Sequence, residues 1–569
     1  MHLIPRVLYP VLRRMHKPIH AIFPNVSFGD VMFLLAFIGV ELALCAQSLR
    51  RGDGGRSTGG PIQWNMAFLL IPVTKRVSPL LVILNVPFER AIKFHRWISY
   101  ATVILTVIHF FFLVFGNDMN QFSNVAGLIA MTAFLMLFLT SLAWIRRNLY
   151  EGFMKSHYVL APIAYIFAIL HEDAGGLILR CIVPVILYAA DWVARIFVGV
   201  RRNATILSAT VVSGKPGQRV VKWEILVQNA GNAYAEPGQY VYLYVPSLKW
   251  SQMHPFSIAY TRPLEQPNFD QEQSAHRKGG SSAIILGFFI REFGQYTQYM
   301  TKLEVNARGE GPKVAVDGPF GSSALDLARY TNFSLIAGGV GITPMLSFWN
   351  WIVASNTHKY DNAQSSSSSP ASPVSPTSTA VTTTNFDMDV EKSETATASP
   401  VVVNLCWSLQ GREVPFAISV LEQLALPGPR KSSNAASQVA NDHALRWSLP
   451  AILRVRLQFT RTSEIAKEEM DKLQTLIAKK VGVDIEVHVG PGRLAIPEVL
   501  KNAARTAIAD PAPSDPNKNG TETVRVAVLA CGPFAMLSSV RSSSVALSGI
   551  GIPPFESVHF DVHTETFEL

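Results

Sequence analysis

The chain has 569 residues, of which 49% are hydrophobic and only 16% charged, and its formal net charge is +9. So few charges are unusual for a wholly soluble enzyme. The apolar excess lies before residue 200, which argues for a membrane half followed by a water-soluble half. The basic balance does not require nucleic acid, because many of the Lys and Arg residues flank apolar segments, where such residues anchor helices. Cys45, Cys181, Cys406 and Cys531 show no metal-ligand spacing and no disulfide framework, and a reducing cytosol suits the soluble half.

Residues 1–28 read as a cytosolic leader. They carry Arg6, Arg13, Arg14 and Lys17 but are broken by Pro5, Pro10, Pro18 and Pro24, which does not fit a signal peptide. About six spans follow in a transmembrane domain at 29–200, over residues 28–46, 60–74, 92–115, 124–144, 153–170 and 177–200. The second is short against the roughly 20 residues a bilayer core requires. Arg146, Arg147 and Lys155 separate spans four and five, and Arg201 and Arg202 follow span six. The loops at 116–123 and 172–176 contain neither Lys nor Arg, so the positive-inside rule turns them outward. Arg50, Arg51 and Arg56 on the first outward loop run against the rule. With this topology both termini are cytosolic, and spans three and five are parallel.

Those two parallel spans carry four histidines, His95 with His109 and His157 with His171. Fourteen residues of helix rise roughly 21 Å and return to within about 40° of the starting direction. Each helix therefore shows two imidazoles on one face, one toward each side of the membrane. A single intramembrane histidine is most simply a hydrogen-bonded helix contact. Two pairs at identical spacing point instead to ligands. His95 then faces His157 on the cytosolic side, and His109 faces His171 on the outer side. Each pair fills both axial positions of a haem iron and leaves none for oxygen, which is the arrangement of an electron carrier.

After residue 203 the apolar period becomes strand-like. Residues 203–325 predict a small antiparallel β-barrel. Residues 326–569 predict a doubly wound α/β domain, with buried parallel strands at 334–338, 401–405 and 526–530. Two Ser/Thr/Pro-rich stretches, 361–400 and 427–445, interrupt it and read as disordered insertions. Short motifs recur at the strand ends. His254-Pro255-Phe256-Ser257 follows a barrel strand. Gly294 and Thr297 offer a glycine and a hydroxyl to a pyrophosphate. Gly318 and Pro319 lie in DGPFG. Gly338-Gly339-Val340-Gly341-Ile342-Thr343-Pro344 directly follows the strand SLIAG, where glycines let backbone N–H groups approach a phosphate at a helix N-terminus. Cys531-Gly532-Pro533 follows the strand VAVLA.

In this order, and with the histidine quartet, these motifs make the chain resemble the fungal ferric reductases. That family shares a haem-bearing membrane domain and a ferredoxin-reductase-like module with the NADPH oxidases. The resemblance runs from residue 30 to the C-terminus apart from the two insertions. It implies a multidomain fold: an α-helical transmembrane haem domain, an antiparallel β-barrel FAD domain and an α/β doubly wound NADPH domain. It implies two b-type haems on His95, His109, His157 and His171. FAD is implied at His254–Ser257 with Gly294 and Thr297, and NADPH at Gly338–Pro344 with Cys531–Pro533. The C-terminal Glu565-Thr566-Phe567 resembles the family's acidic–aromatic end, which sets Phe567 near the flavin–nicotinamide contact. Cys531 would lie beside the nicotinamide, and a plain buried cysteine is the other reading. The choice of NADPH over NADH rests on the resemblance, with Arg412, Arg461 and Arg493 as candidates for the 2′-phosphate. His254 and Phe256 stand where soluble ferredoxin reductases carry a different flavin motif.

The activity so implied is electron transfer from cytosolic NADPH, through FAD and the two haems, to ferric or cupric chelates across the bilayer. The plasma membrane or the vacuolar membrane would house it, with iron and copper supply as its purpose. Two other readings stand beside it. One is an NADPH oxidase making superoxide, disfavoured by the equal histidine spacing and short outer loops. The other is a membrane scaffold whose redox chemistry has degenerated.

Overall fold

The structure is a computed structural model that describes residues 18, 26–50, 59–76, 78, 88–114, 121–172, 175–201, 204–228, 236–245, 253–263, 283–303, 311–321, 323, 325–367, 401–425, 451–480, 482–490, 492–509, 524–548 and 557–565. The chain divides into two compact units. One comprises residues 1–210, 222–325 and 565–569, and the other residues 211–221 and 326–564.

The first unit begins with α1 (Phe28–Arg50). Its start is set by reciprocal capping: the Ser27 amide donates to the Asp30 carboxylate at 2.9 Å, and the Asp30 amide donates to the Ser27 hydroxyl at 3.2 Å. The leader expected at 1–28 lies almost wholly outside the described residues. Next comes α2 (Gly59–Leu70), with Pro61 inside its first turn, where a missing N–H costs nothing. Its 12 residues rise only about 18 Å. The second expected span is therefore a half-helix, closed by a turn at 71–73, and does not reach residue 74. Then follow α3 (Phe88–Val114), α4 (Phe122–Thr140), a short α5 (Ala143–Asn148), α6 (Tyr150–Glu172) and α7 (Gly176–Arg201). The fourth span stops at Thr140 rather than 144, because the chain turns before Ala143. Among the described residues, four helices are long and apolar enough to cross a membrane: 28–47, 122–140, 150–172 and 176–198. On α4 the small residues Ala126, Ala130 and Ala133 are buried, and Ala164 on α6 is fully buried. Small side chains let two membrane helices approach closely.

The same unit continues into a seven-stranded antiparallel sheet: β1 (Ala204–Ser213), β2 (Val220–Val227), β3 (Tyr240–Tyr244), β4 (His254–Ser257), β5 (Tyr260–Pro263), β6 (Ile284–Arg291) and β7 (Lys313–Phe320). The strand order is β4-β3-β7-β1-β2-β6-β5. Its two edge strands, β4 and β5, are joined by only Ile258 and Ala259. The Ile258 amide bonds Gln239 O at 2.9 Å and the Ala259 amide bonds Gly287 O at 2.8 Å. This two-residue link thus spans from the β3 side of the sheet to the β6 side. Trp223, Leu243 and Phe288 fill the sheet's interior. A short helix, α8 (Gln295–Met300), follows β6.

The second unit is a six-stranded sheet in the order β11-β10-β9-β8-β12-β13. Its strands are β8 (Asn332–Gly338), β9 (Val401–Gln410), β10 (Ala451–Thr460), β11 (Asp484–Val489), β12 (Val524–Cys531) and β13 (Val558–Glu565). The pairings from β11 through β12 are all parallel. The three predicted strands are thus the middle of the sheet. Their continuous apolar runs match burial on both faces. The helix α9 (Ile342–Ser367) follows β8. Its last residues, 361–367, are the first of the stretch expected to be disordered. Residues 368–400 and all of 427–445 lie outside the described residues.

Candidate functional site

The histidines meet in the predicted pairs. Ring centroids lie 6.3 Å apart for His95 and His157, with the rings inclined at 64°. For His109 and His171 the values are 6.1 Å and 80°. Imidazole nitrogens each about 2 Å from one shared metal ion hold their ring centroids roughly 6 Å apart. Both pairs have that separation, so both fit a haem iron between their rings.

Backbone carbonyls orient two of the four. His95 Nδ1 lies 2.9 Å from Leu69 O, and His171 Nδ1 lies 2.7 Å from Ser123 O. A carbonyl only accepts, so each Nδ1 carries the proton and leaves Nε2 unprotonated as the ligand atom. The half-helix α2 thus has a purpose: it ends at Leu70, one residue past the carbonyl that holds His95. His157 Nδ1 is buried with no hydrogen-bond partner among the described residues. At Gly127 on α4, a Cβ would come within 2.7 Å of His171 Nδ1. Only glycine leaves room there for the ring to reach the Ser123 carbonyl.

Strand β4 bears the flavin motif. It pairs antiparallel with β3, placing His254 opposite Leu243 and Ser257 opposite Tyr240, with Pro255 and Phe256 between. The His254 ring lies against that of Tyr296, 4.3 Å between centroids and tilted by 32°. Burial pushes the Tyr296 phenol up to about 12. Gly294 caps α8, and a Cβ there would meet nothing within 4 Å. Packing therefore does not require a glycine there. The Thr297 hydroxyl is otherwise engaged. It accepts from the amides of Phe293 at 2.8 Å and Gly294 at 3.1 Å, so it serves first as an internal cap of this turn. Gly318 has φ +144°, and a Cβ there would lie 3.0 Å from Val241 Cγ1. That glycine and Pro319 lie where the β3–β7 register shifts, between the Tyr240–Phe320 and Tyr242–Asp317 pairs, and Asp317 beside them is bound by Arg195.

In the second unit the two glycine motifs lie side by side. Ala337 pairs with Cys531 at the carboxyl ends of the parallel strands β8 and β12. This is where the strand order reverses, the place at which open α/β sheets bind ligands. A Cβ on Gly341 would come within 2.3 Å of Cys531 O, and one on Gly338 within 2.7 Å of the Pro533 ring. The glycines therefore serve the close approach of the two loops as well as any phosphate. Gly339 O accepts from the Trp407 indole at 2.9 Å, and the Thr343 hydroxyl donates to Val340 O at 2.8 Å, so the turn through Gly339, Val340, Gly341, Ile342, Thr343 and Pro344 is pinned at both ends. Cys531 is buried and Gly532 is half-buried. Arg412 and Arg461 follow the neighbouring strands β9 and β10, and a Cβ at Gly411 would lie 2.6 Å from Arg461 O. Arg493 follows β11, the next strand in the sheet. Phe567 lies outside the described residues. Sequence reasoning missed the Leu69 and Ser123 carbonyls, Gly127, Tyr296, Asp317 and Arg195. Of these, Asp317 in DGPFG and Tyr296, between Gly294 and Thr297, lay within motifs.

Residues 60–168 match the family model described as a ferric reductase like transmembrane component, and residues 217–324 match that of an FAD-binding domain. Ferric reduction oxidase 8, mitochondrial, of Arabidopsis thaliana is 27% identical over 315 residues, which cover 52% of this chain and 39% of that protein. Ferric reduction oxidase 4 of the same plant is 26% identical, covering 53% and 40%. Dual oxidase 2 of Homo sapiens is 24% identical over 386 residues, covering 59% and 23%. The chain thus spans about two fifths of the length of the plant relatives. A solved ferredoxin reductase from carbazole 1,9a-dioxygenase aligns at 13% identity with a TM-score of 0.29, covering 63% of this chain and 68% of its own. That likeness is too weak to carry an argument.

Proposed function

We propose that this chain, which joins a ferric-reductase-like transmembrane component to an FAD-binding domain, is a transmembrane metalloreductase. It passes electrons from cytosolic NADPH, through FAD and two b-type haems, to ferric or cupric chelates on the far side of a plasma or vacuolar membrane, in support of iron and copper uptake. The observation that carries this reading is the double histidine pairing, with ring separations of 6.3 and 6.1 Å on helices α3 and α6.

Bound FAD supplies the exchange of a hydride pair for single electrons, and bound haem supplies one-electron transfer. The protein's part is to hold and orient. His95 and His157 grip the inner iron and His109 and His171 the outer one, with Leu69 and Ser123 fixing the tautomers of His95 and His171. Strand β4 and Gly294 hold the flavin, and Tyr296 backs the His254 ring. The loops 338–344 and 531–533 seat the nucleotide, and Arg412, Arg461 and Arg493 are the candidates for a 2′-phosphate. No acid or base is needed at the metal end, because only an electron leaves.

The match to a dual oxidase supports a second reading, reduction of dioxygen to superoxide. Anaerobic turnover with NADPH and ferric citrate separates the two. A metalloreductase keeps its rate without oxygen and with superoxide dismutase present. An oxidase loses ferric reduction under either condition.

A further inference from the structure

The first residue of α6 is Tyr150, and its ring lies 6.5 Å from that of His254 in the flavin motif. On the same helix Tyr150 lies 6.2 Å from Phe153, and Phe153 lies 5.6 Å from His157. Positions 150, 153 and 157 are spaced i, i+3, i+7, so they form one stripe along one helix face. All four residues belong to one compact unit. An aromatic stripe at helical spacing is ordinarily core packing. This one is half-buried, begins at the flavin-motif strand and ends on a predicted iron ligand. His254 is held from another side by Tyr296 at 4.3 Å, so the first ring of the series is fixed in place.

We propose that Tyr150 and Phe153 are the bridge by which electrons cross from the flavin site at His254 to the iron site at His157. This rests on the metalloreductase reading above. One electron at a time leaves the reduced flavin, which is oxidised, and arrives at ferric iron, which is reduced to ferrous. The two electrons of one hydride make the crossing in succession. The rings themselves are neither oxidised nor reduced. They fill the gap with packed, polarisable atoms where water or lipid would otherwise lie, and they fix the separation of the two sites. They act as positioning residues.

The test uses the full-length protein loaded with FAD and haem, with the flavin photoreduced in place so that NADPH binding is bypassed. Haem reduction is then followed in Tyr150→Leu, Phe153→Leu, the conservative Tyr150→Phe, and Tyr158→Leu as a control on the exposed side of the same helix. The bridge predicts that Tyr150→Leu and Phe153→Leu slow haem reduction about tenfold or more, while Tyr150→Phe restores the rate and Tyr158→Leu does not change it. Haem content, the low-spin EPR signal and the haem midpoint potentials should stay as in the parent. Unchanged rates in both leucine variants overturn the bridge. So does a slowing accompanied by haem loss or shifted potentials, which assigns the rings to haem-site integrity. If NADPH fails to reduce the parent's flavin while photoreduced flavin still reduces haem, the donor assignment fails and the bridge stands.

Discussion

Arg195 near the end of α7 donates from Nε to the Asp317 carboxylate at 2.6 Å, tying the last membrane helix to β7 of the flavin-binding sheet. The Asp317 side chain is 1% exposed, and its other oxygen has no partner among the described residues. Tyr242 reinforces the join: the Arg195 guanidinium lies 5.6 Å from its ring and Lys75 Nζ lies 3.5 Å from it. Asp191, one turn earlier on α7, accepts from the amides of Lys75 at 3.0 Å and Arg76 at 2.5 Å.

Removing Arg195 leaves a buried carboxylate with no counter-charge, which typically costs about 3–5 kcal/mol. Arg195→Ala should therefore lower the thermal midpoint in detergent and release flavin early in the transition. Asp317→Asn should cost less, because Arg195 can turn toward water and the neighbouring rings. Equal midpoints for parent and Arg195→Ala would show that this pair does not secure the sheet.

Gly127→Ala places a methyl group 2.7 Å from His171 Nδ1. The ring must move off the Ser123 carbonyl, and the outer pair loses its geometry. The expected product retains the inner haem and lacks the outer one, so haem content per polypeptide should fall by half. Full haem content with unaltered spectra would contradict this placement of His171.

Two glycine substitutions should behave in opposite ways. Gly341→Ala forces a methyl group within 2.3 Å of Cys531 O, pushing apart the two nucleotide loops. The KM for NADPH should rise at least about tenfold, with FAD and haem content retained. At Gly294 the protein leaves space for a methyl group. Gly294→Ala should fold with unchanged stability when stripped of flavin, yet bind FAD more weakly. Isothermal titration of the apoprotein with FAD reads this directly, and unchanged affinity would remove Gly294 from the site.

Within the flavin-binding sheet, Glu224 accepts from the Tyr260 hydroxyl at 2.7 Å and pairs with Lys222 and Arg262. Burial pushes its carboxyl up, but the Tyr260 hydrogen bond and the two cations outweigh burial and hold it below the usual carboxylate range. A depressed carboxyl contributes stability that is complete above its ordinary pKa and is lost as pH falls through the lowered value. Flavin retention should accordingly weaken in mild acid, below about pH 4.5. Tyr260→Phe, which removes the largest lowering contribution, should be less stable at neutral pH and lose less than the parent as the pH falls. Superimposable acid profiles for the two proteins would rule out this network.

The histidine pairing was legible because two features combined, a 14-residue spacing and a charge pattern that made α3 and α6 parallel. The sheet strands were legible from their continuous apolar runs. The parts that were not legible involve groups without a sequence signature. Any residue has a carbonyl, so nothing marked Leu69 or Ser123 as the acceptors for His95 and His171. Gly127 sits in an apolar helix and reads as ordinary membrane sequence until the ring above it is known. Thr297 was read toward a ligand, but its hydroxyl serves the turn, because a helix start must satisfy its own amides first. The pairing of Asp317 with Arg195 joins residues 122 positions apart in the chain, and no local pattern carries such a contact.

The spectrum of the purified, detergent-solubilised protein, reduced first with NADPH and then with dithionite, tests the central claim most directly, with His109→Ala beside the parent. The account predicts two low-spin b-type haems in the parent, both reduced by NADPH. It predicts one in His109→Ala, still reduced by NADPH but unable to pass electrons to ferric citrate. A parent without b-type absorption bands, or a His109→Ala variant that keeps both haems and full ferric reduction, would contradict it.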